Sequence, residues 1–235
     1  MPILRTSLSG LPLAALPAMA AESTTVPTGI TGIGPSAFVF TIAAALLATL
    51  LFRALASRAT LAIGRVLGRL RIRRILAAHG RAVAHDAILP GAYGGLARID
   101  HALLTSNGLL CIRAVHLNGT VTGKQDDAQW THADVTRKNR LLNPLIQNEG
   151  RARAVRKVLP DVPVQNLVVF TGNVTFGSTP PPNVITLERL QGVVTKFAQD
   201  AGPGVDIDAA WSCLQGALLT GDEAQKDFSA QISFS

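Results

Sequence analysis

From Ser36 to Phe52 the chain runs SAFVFTIAAALLATLLF without one charged side chain. Directly behind it come Arg53, Arg58, Arg65, Arg69, Arg71, Arg73 and Arg74. This apolar run sits at the lower end of the roughly 17–25 residues that cross a bilayer, and Ile33 or Leu55 can extend it. A core helix of a soluble domain would carry a polar stripe, and this run shows none of consequence. One transmembrane helix is therefore expected over residues 36–55. Ahead of it the only basic residue is Arg5. The arginine excess behind it places the C-terminal part in the cytoplasm, on the inner face of a bacterial-type inner or plasma membrane.

The leader fits that topology. Residues 1–20, MPILRTSLSGLPLAALPAMA, put one arginine, a short apolar stretch and Ala18-Met19-Ala20 in the order of a secretory signal peptide, with an uncleaved leader as the alternative. Residues 21–35 read as an extracytoplasmic linker rich in turn formers. The rest is too apolar for a disordered tail, since only 16% of the 235 residues are charged. Two cysteines exclude a disulfide scaffold. Cys111 and Cys213 are expected as free thiols, packed as small buried hydrophobes.

Apolar spacing from Thr60 to Ala78 predicts a basic helix, with the arginines between its apolar positions. Strands are expected at Ala82–Leu89 and Ala97–Leu104, followed by a hairpin at Asn107-Gly108, a pair suited to a two-residue turn. That turn sets a register with Ser106 opposite Leu109, Ala102 opposite Arg113 and Asp100 opposite Val115, making Asp100 and Arg113 diagonal neighbours. Pro144–Leu159 reads as a helix capped by Asn143. Leu167–Phe170 reads as a strand buried on both faces, and Val184–Thr186 as another short strand. Helices are expected at Leu187–Gln199 and Asp208–Leu219, with frayed residues after them. The sum is an α/β fold of one small core.

Ile99-Asp100-His101, the Asn107-Gly108 hairpin, Asn118-Gly119, Trp130-Thr131, Asn143-Pro144-Leu145 with Gln147-Asn148, and the LVVF strand follow one another at a recognisable spacing. Together they resemble the nuclease-related domain (NERD), a branch of the PD-(D/E)XK nuclease-like superfamily, from about Gly64 to about Gln199. The resemblance implies a restriction-endonuclease-like small mixed sheet flanked by helices, a domain over residues 60–200, and a C-terminal helix and tail over 201–235.

It also implies a chemistry. Members resembling active nucleases carry Gly-Glu in the first helix, Asp in the IDH strand and Glu-x-Lys in the next. The acids hold a divalent metal that activates water. Here the aspartate is Asp100, but the Gly-Glu position falls on Gly64-Arg65, with Gly68-Arg69 as the alternative. The Glu falls on Arg113 and the Lys on Val115. Gln147 is kept, and Arg151 stands where a histidine is expected one turn later. Carboxylates and lysine give an active site a charge of about −2, whereas Asp100 with Arg65 and Arg113 gives about +1, which repels a dication. No catalytic residue, metal or cofactor is therefore expected. Magnesium would enter only if a nuclease with unusual ligands survives.

Arg113 lies in an otherwise apolar row with Leu109, Cys111, Val115 and Leu117, so it needs a counter-charge. An internal ion pair with Asp100 supplies one; an anion pocket built from Arg65, Arg113 and Arg151 is the other reading. The five histidines are expected to be structural or exposed. Arg69 to Arg74 would lie against anionic lipid. Arg151, Arg153, Arg156 and Lys157 are candidate anion or nucleic-acid contacts, with Arg137, Lys138 and Arg140 as a third basic stretch. The leading expectation is an interaction module for protein or nucleic acid held at the membrane. A metal-dependent nuclease and an architectural subunit of a membrane DNA-handling assembly are the alternatives.

Overall fold

The structure is a computed structural model that describes residues 35–80, 82–135, 137–200, 202–219 and 222–233. The leader and nearly all of the linker expected from the sequence lie outside these residues. The chain divides into two compact units between Leu51 and Phe52. The first contributes the opening of helix α1 (Pro35–Ala77), where Phe40, Leu46, Leu47 and Leu50 are all exposed. Among the described residues, α1 is the one helix long and apolar enough to cross a membrane. The sequence suggested two helices, one apolar and one basic; the helix runs without a break through both.

The second unit is a mixed α/β fold. Strands β1 (Val83–Pro90), β2 (Leu96–Thr105) and β3 (Gly108–Val115) form an antiparallel meander. Parallel strands β7 (Val164–Phe170) and β9 (Val184–Thr186) complete a five-stranded sheet of order β1-β2-β3-β7-β9. One face buries Ile99, Ala102, Leu104, Leu109 and Cys111 under helices α2 (Pro144–Val158) and α4 (Ile207–Ala217). The other buries Leu103, Leu110, Ile112 and Val169 against Ile72 and Leu76 of α1 and against helix α3 (Leu187–Gln199). Ile72 and Leu76 are four residues apart and so share one face of the helix. That packing ties the arginine-rich end of α1 to the sheet.

A second sheet, absent from the sequence expectation, has the order β6-β5-β4-β8, from strands β4 (Gly119–Thr122), β5 (Gln129–Ala133), β6 (Lys138–Leu142) and β8 (Val174–Phe176). Its inner residues Val121 and Trp130 pack on Val168 and Phe170 of the first sheet. The C-terminal residues expected to fray include helix α5 (Asp222–Ser233), and Gln231 exchanges hydrogen bonds with the backbone of Leu96. Cys213, expected as a buried hydrophobe, is exposed, unlike Cys111, and its sulfur lies 3.5 Å from the carbonyl of Val158 at the end of α2.

The β2–β3 register differs from expectation by two residues. Thr105 pairs with Gly108, Ala102 with Cys111 and His101 with Ile112. Ser106 and Asn107 make the turn, and Gly108 opens β3 at φ +125°. A side chain there would run into the carbonyl of Pro163, 2.4 Å from an added Cβ, so only glycine fits. Continuing the ladder by one residue sets Asp100 directly across from Arg113.

Candidate functional site

Asp100 sits where two strands kink together. On β2, Ile99 and Ala102 face the same core although three residues apart, so strict alternation fails between them. On β1 the break is at Asp86, which has φ +53°, the left-handed region that side chains other than glycine seldom occupy. The pairs His85–His101 and Ala87–Ile99 bracket the kink, placing Asp86 across from Asp100.

The two carboxylates are used differently. Asp86 is a hub for arginines: Arg98 Nη2 lies 2.7 Å from Oδ1, Arg73 Nη2 2.8 Å from Oδ2, and Arg69 Nη1 3.7 Å away. Burial alone would raise its pKa, but the hydrogen bond and charge of Arg98, with Arg69 and Arg73, hold it below the ordinary carboxylate value. Asp100 accepts a hydrogen bond from the backbone N–H of Ala114 at 3.1 Å. Its side chain thus takes an amide of β3 just beyond the end of the β2–β3 ladder.

The expected Asp100–Arg113 ion pair is not formed. Among the described residues the Arg113 guanidinium has no carboxylate within 4.0 Å and no hydrogen-bond acceptor in the protein. Its pKa is lowered to about 10, first by burial and then by the charge of Arg151, with Asp100 opposing both. Proximity without contact is the physical reason: the Asp100 carboxylate is drawn to the free amide of Ala114 instead.

Arg113 opens into a cavity of about 310 Å³ lined by Arg65, Arg69, Arg113, Ala114, Val115, His116 and Thr171. The structure therefore brings together Arg65, Arg113 and Val115, three of the positions assigned by resemblance. It also brings in Arg69, so both Gly-Arg pairs of α1 reach the same place. Gly64 and Gly68 make this possible. A Cβ on Gly64 would lie 2.5 Å from His116 Nε2, and one on Gly68 would lie 2.6 Å from Thr171 Cβ. The helix rests on the cavity wall at these two glycines and each following arginine lines the space. His116 Nδ1 lies 3.2 Å from Thr171 Oγ1, and its pKa is lowered by burial and then by the Arg65 charge.

Gln147 and Arg151 stand apart from this lining. Gln147 is half-buried on α2. Arg151 donates from Nε to the carbonyl of Arg98 at 2.6 Å, while its Nη1 is buried with no partner. The basic row on α2 is also partly engaged. Arg156 bonds Glu149 Oε1 at 2.6 Å and the carbonyl of Val164 at 3.1 Å. Arg153 bonds the Tyr93 hydroxyl at 2.7 Å and lies over its ring. Lys157 remains exposed.

Sequence reasoning missed Asp86, Arg98 and Thr171 as neighbours of this site, and placed His116 beside it. The signal for Asp86 was a single acid in the β-prone AHDAILP run, close to an arginine-rich helix. His101 is fully buried, with Nδ1 2.8 Å from Nδ1 of His85. Asn148, also fully buried, donates to the carbonyl of Cys111 at 2.9 Å and to Asn166 Oδ1 at 2.8 Å. It holds α2 over the sheet.

The donor set does not fit a catalytic metal. Magnesium is held through carboxylates and other oxygens, and here three guanidinium groups share a cavity with no carboxylate in its lining. No group of three or more His, Cys, Asp or Glu side chains among the described residues is placed to hold a metal ion.

Residues 64–171 match the nuclease-related domain family. A stretch of 73 residues is 26% identical to an uncharacterized protein of Bacillus anthracis, covering 31% of this chain and 34% of that protein. The chain thus spans about a third of that relative's length. No solved structure matches the chain.

Proposed function

Since residues 64–171 are a nuclease-related domain, we propose that this chain is a single-pass membrane protein whose cytoplasmic domain has a silent nuclease centre and works as an interaction module, for nucleic acid or for a protein partner. The apolar, exposed start of α1 and the arginines behind it support the topology. One observation carries the loss of chemistry: Arg65, Arg69 and Arg113 line the cavity where the family's acids would gather. Arginine stays protonated at any working pH, so these groups cannot become ligands. Asp100, the one acid retained, is bonded to Ala114.

Plasmid and single-stranded DNA incubated with the full chain in neutral detergent, with magnesium or manganese, should remain uncut beyond the level given by Asp100→Ala. Metal-dependent cleavage that disappears in Asp100→Ala would overturn the proposal and favour a nuclease with unusual ligands.

A further inference from the structure

We propose that the cavity between α1 and the end of β3 is a metal-free phosphate site, in which Arg65, Arg69 and Arg113 receive one phosphate group and Thr171 and His116 complete its hydrogen bonding. This deepens the proposed function, resting on its silent centre, and names what the altered site holds.

Three features converge. First, guanidinium groups from two separate elements line one small cavity, and the protein supplies little to neutralise them. Neither Arg65 nor Arg113 has an ion pair or a side-chain hydrogen bond among the described residues. Arg69 has only the 3.7 Å contact to Asp86, a carboxylate already held more closely by Arg73 and Arg98. Arg65 and Arg69 are exposed, but Arg113 is half-buried; a half-buried guanidinium without a counter-charge is costly to keep, and a bound anion removes that cost. Second, the chemistry favours phosphate over carboxylate. A phosphate monoester carries about −1.5 to −2 charges and three acceptor oxygens, matching several planar donor forks, whereas a carboxylate would leave most of the positive charge standing. Third, the neutral groups fit. The Thr171 hydroxyl can donate to a phosphate oxygen, and His116 Nδ1, 3.2 Å from Thr171 Oγ1, can donate to that hydroxyl in turn. Gly64 and Gly68 let both approach the helix that carries Arg65 and Arg69.

The phosphate group could belong to a soluble ester or to a lipid headgroup. Arg65 follows Phe52 by thirteen positions, about 20 Å of helix, which favours a soluble source unless the helix lies strongly tilted.

The test is a calorimetric titration of inorganic phosphate onto the full chain in phosphatidylcholine nanodiscs, with EDTA present. One saturable site is expected, weakened by about tenfold or more in Arg113→Gln and in Arg65→Gln. Arg113→Lys, which keeps the charge and loses the fork, should weaken it less than Arg113→Gln. Because the Arg113 guanidinium bonds nothing in the protein and is costly to bury, both variants should melt no lower than the wild type without phosphate. In nanodiscs containing phosphatidic acid, a site still open to phosphate assigns a soluble source, and a site already occupied assigns the lipid. No saturable binding in phosphatidylcholine, or equal binding by folded Arg113→Gln and Arg113→Lys, overturns the proposal. EDTA separates this result from the cleavage assay. Phosphate binding by a chain that also cuts DNA would sink only the silent-centre reading, and an inert chain that binds no phosphate would sink only this one.

Discussion

Acidifying the folded chain from pH 7 to pH 4 should cost it about 3 kcal/mol of stability, most of it through His101. This imidazole is fully buried, its Nε2 has no hydrogen-bond partner, and its pKa is lowered to about 3. Burial is the main cause, followed by the nearby His85, with Arg73 and Arg69 adding to it and Asp86 opposing. An unfolded histidine takes its proton near pH 6.5. Below that value the unfolded state binds more protons than the folded state, so stability falls as pH falls, until the buried ring itself titrates near pH 3. Asp86 and Glu149, held below their ordinary values of 3.8 and 4.5, add further acid sensitivity as pH falls through and below those values. Urea denaturation in neutral detergent, followed by the fluorescence of Trp130 and Trp211, reads the effect directly. His101→Leu should flatten the decline between pH 6.5 and 4, and a variant that loses as much stability as the wild type would show that His101 is not its source.

Replacing Asn148 by leucine, of similar size, should destabilise the fold by about 3–5 kcal/mol. Its amide serves the carbonyl of Cys111, Asn166 Oδ1 and, at 3.4 Å, the carbonyl of Leu167. The two carbonyls are buried on β3 and β7 under α2, where water cannot replace the lost donor, while Asn166 is half-buried. Each buried group left unpaired costs about 1–3 kcal/mol. The urea midpoint at pH 7 measures the loss, and a midpoint within experimental scatter of the wild type would mean that the strands rearrange to satisfy themselves.

The parts of this fold legible in the sequence are those with strong local chemistry. Asn143 before Pro144 marked the start of α2, and its side chain accepts from Leu145 N–H at 2.9 Å. The all-apolar LVVF marked β7, and Leu187–Gln199 appears as α3 with the same bounds. The second sheet was not legible. Its strands are three to five residues long, and β6, KNRLL, is mostly exposed, so no apolar period survives. Asn107-Gly108 correctly announced a hairpin, yet its glycine serves a close approach to Pro163 rather than the turn itself. The resulting shift of two residues changed the pairing of Asp100.

The site divides in the same way. Motif spacing brought Arg65, Arg113 and Val115 to one cavity, and the same spacing left Gly68-Arg69 open as an alternative that turned out to line it too. What spacing could not convey was conformation. The left-handed backbone of Asp86 and the diversion of the Asp100 carboxylate to an amide depend on how two strands kink together. Aspartate tolerates the left-handed region better than most side chains, but residue type alone does not say that this strand residue adopts it.

Manganese titrated onto the full chain in neutral detergent, and followed by electron paramagnetic resonance, bears most directly on whether arginine has displaced the metal. A chain built as described should hold no manganese at micromolar concentration, and Asp100→Asn should leave the signal unchanged. One manganese held per chain and released by Asp100→Asn would contradict it.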